Sequence, residues 1–264
     1  MKKQKTQLLV LILIIFMIQA FSQANRSLSE DQDDLDEILK KCAEYCERLS
    51  NSVLNFVCIE KITESLYPQR TTNVYMYDYQ IIRKDNKISD RRILLRENGK
   101  EKHIEDAQLK TKRYKHHNIL FGPIGLLAEL WHPHYNYKIL QRRMFKGDKV
   151  VVIEATPKNS EATQNLYGKV WVREADYSIV KIEWDQNSLR DFYLLENDAR
   201  RFGAKPVVEF YAEYAFEKND IRVPNKYVIV ENYYRYNRKN FTRCKIITSY
   251  KDYKFFTVES AVKY

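Results

Sequence analysis

From about Asp33 to Leu54, apolar residues recur every three or four positions: Leu35, Ile38, Leu39, Cys42, Cys46, Leu49 and Val53. That spacing puts them on one stripe of an amphipathic helix, whose buried side needs a sheet to cover it. Asp31, Asp33, Asp34 and Glu37 come early and Lys40, Lys41 and Arg48 late, the polarity a helix dipole favours. Ser29 and Gln32 fit a capping box ahead of it. Beyond Phe56 the period changes to two, the signature of strands with one wet face. Phe56 to Leu66 and Val74 to Arg83 are the first two, the latter with Tyr75, Tyr77, Tyr79 and Ile81 on one face. Asp90 to Glu97 follows, closed by the hairpin turn Asn98-Gly99. The polar stretch Lys100 to His116 has room for one more strand.

Asn118 to Trp131 breaks the alternation. Pro123 suits a helix start, and Ile124, Leu127, Leu130 and Trp131 share a helical face, so a short apolar helix is expected between two sets of strands. The second set is regular. Tyr135 to Phe145 and Val150 to Thr156 flank Lys146-Gly147-Asp148, and Gly168 to Arg173 and Ser178 to Asp185 flank Glu174 to Tyr177. Val207 to Phe216, Lys226 to Tyr236 and Arg243 to Phe256 complete an antiparallel meander. Asp191 to Lys205 interrupts it as an irregular insertion, read as a loop or a short helix over Leu189 to Asn197. The fold class is therefore mainly β (α+β), a curved antiparallel sheet over an N-terminal helix and a short apolar helical insertion, in one domain spanning 25–264.

Residues 1–24 have the order of a secretory signal: Lys2, Lys3 and Lys5, the apolar run Leu8 to Ile18, then Ser22-Gln23-Ala24. The run is shorter than the roughly 20 residues a membrane span requires, which makes an uncleaved anchor the weaker alternative. Cleavage near Ala24 leaves an exported chain, periplasmic or secreted, with formal net charge reduced from +10 to +7. Export excludes nucleic acid as the ordinary partner of this basic surface. Solvation or peripheral contact with anionic lipid head groups or acidic polymers remains. All four cysteines, Cys42, Cys46, Cys58 and Cys244, lie after the signal. Two disulfides are permitted; one pairing is Cys46 with Cys58 and Cys42 with Cys244, and buried free thiols are the alternative.

The segment Tyr167-Gly168-Lys169-Val170-Trp171-Val172-Arg173, followed by Tyr177-Ser178-Ile179-Val180-Lys181-Ile182-Glu183, resembles a recurrent hairpin of the LolA-like superfamily, the periplasmic lipoprotein carriers and their envelope-sensor relatives. Asn219 to Lys226, a turn whose Pro224 precedes a long strand, resembles the next landmark. The helix followed by Phe56-Val57-Cys58-Ile59-Glu60 is similar to exported bacterial relatives that lend no activity. The resemblance implies a half-open β-barrel wrapped over helices. It also implies a carrier of acyl chains, lipid or lipoprotein in the cavity between them, or a module that binds an envelope protein partner. The chain departs from the carriers in its length and in the Lys and Arg load of its strands, and none of its arginines is matched to the carriers' functional one.

Residue chemistry points to binding rather than catalysis. His103, His116, His117, His132 and His134 cluster in sequence, and His132-Pro133-His134 in an extended chain would aim two imidazoles to one side. No HExxH-type signature accompanies them, so neither a metal site nor a cofactor is expected. Glu183 with Asp185, and Glu209 with Glu213, share strand faces as carboxylates on wet sheets commonly do. No nucleophile elbow, P-loop or dinucleotide fingerprint occurs. The candidate cavity residues are Ile124, Leu127, Leu130 and Trp131 of the insertion with Tyr75, Tyr77, Tyr79, Trp171 and Trp184 of the strands, large rings able to line a greasy cleft.

Overall fold

The computed structural model describes residues 33–52, 55–84, 87–115, 122–158, 166–189, 192–236 and 239–256. The proposed signal segment 1–24, His116, His117 and the start of the apolar insertion lie outside them. The chain divides into two compact units, Met1–Lys41 and Cys42–Tyr264. In the first, residues 33–41 are helical, and the helix continues to residue 51 as α1.

The second unit contains β1 (Asn55–Leu66), β2 (Thr71–Lys84), β3 (Lys87–Glu97), β4 (Lys100–Ile104), α2 (Ile124–Leu127), β5 (Tyr135–Phe145), β6 (Asp148–Pro157), β7 (Gly168–Arg173), β8 (Ile179–Trp184), α3 (Phe192–Phe202), β9 (Lys205–Lys218), β10 (Ile221–Tyr234) and β11 (Phe241–Phe256). All eleven strands form one antiparallel sheet in the order β4-β3-β2-β1-β11-β10-β9-β8-β7-β6-β5. The sheet is open, with β4 and β5 at its edges. Within this unit the expected fold class holds. The insertion at 191–205 contains an eleven-residue helix, α3, which starts three residues later and ends five residues later than the short helix expected over Leu189 to Asn197.

Cross-strand register shows why the pattern forces this sheet. Ile139, Ile153, Val170, Ile182, Ala212, Tyr227, Thr248, Ile62 and Tyr75 are successive direct neighbours from β5 to β2. None carries a charge. The row on the other face is Gln141, Val152, Trp171, Lys181, Glu213, Lys226, Ser249, Lys61 and Met76, and Lys and Glu dominate its middle. A slip of one residue in any strand would exchange the two rows, so the apolar row sets the register of the whole sheet. The outer face has its own small cluster, Val150, Val152, Trp171 and Val180 with Phe145 against it.

Gly168 is fixed by a close approach. A Cβ there would lie 2.2 Å from the Glu183 carbonyl oxygen and 2.8 Å from the Trp184 Cα. Because both obstacles are backbone, no side-chain rotation relieves the clash. Gly168→Val should therefore destabilise the chain by at least about 3 kcal/mol or prevent folding. Urea denaturation followed by tryptophan fluorescence measures this, and a loss under about 1 kcal/mol would show that β7 can move away from β8.

Candidate functional site

The inner face, defined by the uncharged row, has two parts. Over β5 to β10 it is aromatic and aliphatic. Trp184, Phe210 and Tyr227 form a cluster, with ring centroids 4.6 Å apart for Trp184 and Phe210 and 5.4 Å for Phe210 and Tyr227. In α1, Cys42, Tyr45, Cys46 and Leu49 are buried. Tyr45 Oη accepts the Arg222 backbone N–H at 3.1 Å, tying α1 to the start of β10. Cys42 and Cys46 lie near enough to Tyr137 of β5 to add to burial in raising its phenol.

The apolar insertion is one helical turn, α2, and then a 3-10 turn over Glu129–His134. Ala128 leaves helical geometry at φ −66°, ψ 144°, which ends α2. His132 and His134 therefore do not project from an extended chain, contrary to the sequence reading. The His132 ring meets Tyr137 at 5.5 Å, and the His134 ring meets Trp131 at 5.6 Å. Tyr137 Oη donates to the Leu126 carbonyl at 2.6 Å, a latch that holds α2 to β5, and His132 Nε2 donates to the Leu127 carbonyl at 3.0 Å, which ties the 3-10 turn to α2. Leu127 is fully buried, whereas Leu130 is 63 % exposed and Ile124 and Trp131 are partly covered.

Over β1 to β3, β10 and β11 the inner face carries charge. Glu60, Glu64 and Glu231 point inward with no solvent exposure. Arg92 Nε donates to Glu60 at 2.7 Å and Nη1 to Asp90 at 3.0 Å, while its guanidinium lies 4.2 Å from the Tyr79 ring centre. Burial opposes the Arg92 charge, and the Glu60 carboxylate overcomes that opposition and holds its pKa above the ordinary arginine value. The segment 107–115 is a strap across this part. Its Ala107 N–H donates to the Arg92 carbonyl at 2.8 Å. Lys110 N–H donates to Tyr77 Oη at 3.3 Å, and Lys112 and Arg113 N–H groups donate to Glu64 at 2.7 and 3.2 Å. Arg113 then joins Glu231 of β10, at 2.6 and 2.9 Å, to Asp198 of α3 at 2.7 Å. Tyr114 and Tyr233 hydroxyls donate to the same Glu231.

The predicted cavity residues thus separate. Tyr75, Tyr77 and Tyr79 are buried on the charged part, where the strap contacts Tyr77. Their burial removes the tyrosine-rich face as a surface for a partner. Trp184 belongs to the aromatic part with the insertion. Trp171 is on the opposite face, where Lys181 Nζ stands 4.5 Å from its ring and 4.7 Å from that of Tyr211. A cleft of about 210 Å³ opens beside Trp184, lined by Glu154, Thr156, Tyr167, Lys169, Glu183, Asp185 and Gln186 among others. It is smaller than the ~300–1,000 Å³ usual for small-molecule pockets and polar enough for a head group rather than an acyl chain. The buried glutamates and their arginines were missed in the sequence. Their signal was parity: Glu60 and Glu64 alternate in phase with Phe56, Cys58 and Ile62.

The expected disulfide pairing is corrected. Cys42, Cys46, Cys58 and Cys244 are free thiols, all buried. Cys58 sits beside Tyr253, and Cys244 lies between the fields of Glu64 and Glu231. Burial pushes every thiol up, Cys46 and Cys244 to about 12, so none is a ready nucleophile. Of the carboxylate pairs, Glu183 is bonded to Lys181 at 3.1 Å and Glu213 to Lys146 at 2.6 Å. Among the described residues no group of three His, Cys, Asp or Glu is placed to hold a metal ion, and no helix is long and apolar enough to cross a membrane.

No protein-family model matches the chain, and no curated protein matches it. Solved structures do. A LolA superfamily protein from Nitrosomonas europaea is 14 % identical over 84 % of this chain and 96 % of its own, with a TM-score of 0.39. A putative outer membrane lipoprotein-sorting protein domain from Vibrio parahaemolyticus is 11 % identical over 85 % and 93 %, with a TM-score of 0.41. A DUF1329 family protein from Desulfovibrio piger is 11 % identical over 85 % and 95 %, with a TM-score of 0.40. The superfamily that the sequence resembles is thus also among the structural matches. At these values the likeness assigns the chain neither a ligand nor an activity.

Two outcomes follow from the site. Arg92→Met leaves the Glu60 charge buried without its main partner and should cost about 3–5 kcal/mol, while adding Glu60→Leu should recover most of the loss; a double-mutant cycle in urea measures both. In native protein at pH 8 the four thiols should resist iodoacetamide for hours and all react in denaturant without reductant, as mass spectrometry would show. Fewer than four adducts in denaturant would mean a disulfide.

Proposed function

We propose that this chain is an exported, non-catalytic binding protein that holds an acyl chain, a lipid or a lipidated protein against the aromatic part of the inner face. The uncharged row running from β5 to β2 is the observation that supports this reading most. Within it, the stretch over β5 to β8 lies beside the smallest covering element, the single turn α2. A guest would enter by displacing α2 and the 3-10 turn, breaking the Tyr137 latch and the contact of the His132 ring with Tyr137. Ile124, Leu127, Leu130 and Trp131 would then turn onto the guest as a lid, and Trp184 with Phe210 and Tyr227 would form its floor. Each buried CH₂ contributes about 0.8 kcal/mol, enough for a long chain to bind with little polar specificity. The polar cleft beside Trp184 would receive the guest's head. Trp171, on the outer face, has no part in this reading, and neither do Tyr75, Tyr77 and Tyr79, which are buried on the charged part.

A second reading is a module that adds a partner's strand to the free edge of β5, which pairs only with β6 among the described strands. Native mass spectrometry and solvent extraction of chain purified from its own host separate the two. The carrier reading expects co-purifying lipid that falls about tenfold in Leu130→Glu, since a buried leucine side chain contributes ~1.5–3 kcal/mol. A lipid-free chain with a stoichiometric protein bound would favour the β5 edge. A lipid-free, partner-free chain would sink both.

A further inference from the structure

A set of basic residues that looks scattered in sequence is gathered at one end of the sheet. Segments 67–72, 110–115, 199–205 and 234–245 contain no Asp or Glu. Strand register brings them together. Leu66 is opposite Cys244 and Lys205 is opposite Tyr234, so the end of β1, the start of β9, the end of β10 and the start of β11 lie at the same end of the sheet. Direct contacts close the group. Tyr67 N–H donates to the Arg243 carbonyl at 3.0 Å, and Arg243 Nη1 donates back to the Tyr67 carbonyl. Phe202 of α3 packs 5.2 Å from Tyr233 and 5.3 Å from Phe241. Arg113 of the strap reaches Asp198 of α3.

The result is a surface bearing Arg70, Lys112, Arg200, Arg201, Lys205, Arg235, Lys239, Arg243 and Lys245. Among the described residues, none of these nine has a carboxylate within ion-pair distance. Glu196 of α3 and Glu209 of β9 are the exposed carboxylates nearest in sequence, each four residues from a member of the set, and Asp198 is occupied by Arg113. At the opposite end of the sheet Arg173 is paired with Asp176, Arg142 with Glu174 and Arg222 with Glu217, while Lys149, Lys218 and Lys254 are exposed there without an ion pair among the described residues. Two guanidiniums of the basic end also have a buried Nε with no hydrogen-bond acceptor, those of Arg235 and Arg243. Arg235 is held 4.6 Å over the Phe241 ring, so its position is set by packing and its unused donor is kept in place. Between these charges stand exposed tyrosines: Tyr67, Tyr234 and Tyr236, the last 92 % exposed.

We propose that this end of the sheet is a docking surface for an anionic lipid bilayer. Unpaired arginines and lysines are attracted to acidic head groups. Tyrosines among them suit the water–lipid boundary, where the ring enters the acyl region and the hydroxyl stays with the head groups. The surface is distinct from the inner face and does not depend on an acyl guest being bound there.

The test is co-sedimentation of the purified chain with vesicles, the same N terminus being kept in every variant. Vesicles of phosphatidylcholine alone are compared with vesicles containing about 30 % phosphatidylglycerol. The expected result is binding to the anionic vesicles only, lost as ionic strength rises toward ~0.3 M and the Debye length shrinks. Arg200→Glu, Arg201→Glu, Lys239→Glu and Lys245→Glu combined should weaken binding more than about tenfold. Lys218→Glu with Lys254→Glu, at the other end, should change it less than about twofold. Circular dichroism checks that each variant is folded. Equal losses from the two sets would reduce the effect to net charge and overturn the proposal. So would binding to heparin without binding to anionic vesicles, which would indicate an acidic polymer, or no vesicle binding at low salt.

Discussion

An open sheet of eleven strands depends on one face being kept from water along its whole width. Here that condition is met by a row of direct cross-strand neighbours from Ile139 to Tyr75, and every other element is placed by the need to cover it. Residues 42–51 of α1 and the single turn α2 serve the aromatic part. The strap serves the part where glutamates replace aliphatic side chains. The hydrophobic effect is non-directional and fixes which face is buried. The buried carboxylates are directional and fix what lies on it, because each needs donors at set positions. Glu64 takes its donors from the strap backbone, and Glu231 takes them from Arg113 and two tyrosines.

This division accounts for what the sequence revealed. Strand positions and the Asn98-Gly99, Lys146-Gly147 and Asn219-Asp220 turns were legible because alternation and turn chemistry are local. Both residues of the first turn and of the last have positive φ, as their residue types allow. The helix 33–51 was legible from its stripe. The strap was not, because 105–115 has no period of its own and is held by partners on β1, β2, β3, β10 and α3. Likewise, α2 was expected to be longer than one turn, since an apolar face can be read from spacing but the departure of Ala128 into extended geometry cannot. The cysteines were read through their compartment, whereas the fold buries all four as free thiols, Cys42 and Cys46 together on α1 and Cys58 and Cys244 on strands.

The candidate site was legible only in part. Trp171 and Trp184 lie on neighbouring strands and both are buried, yet Trp184 is opposite Gly168 and Trp171 opposite Lys181, so strand parity puts them on opposite faces. The charge of the chain shows the same limit. Its basic residues are interspersed with acidic ones along the sequence, but hairpin register brings nine unpaired ones from four separate segments together at one end. Composition gives the total, and topology gives the distribution.

The position of β11 between β1 and β10 bears on how such a chain is made. Tyr67 and Arg243, which meet across this seam, are 176 residues apart in sequence. Until the last strand is available, the β1–β4 hairpins and the β5–β10 meander have no ladder joining them, and β1 and β10 each present a bare edge. Synthesis is vectorial, so assembly must wait for nearly the whole chain, and high contact order slows the closing step further. The arrangement that makes the sheet continuous thus also postpones its completion until the last strand has been made.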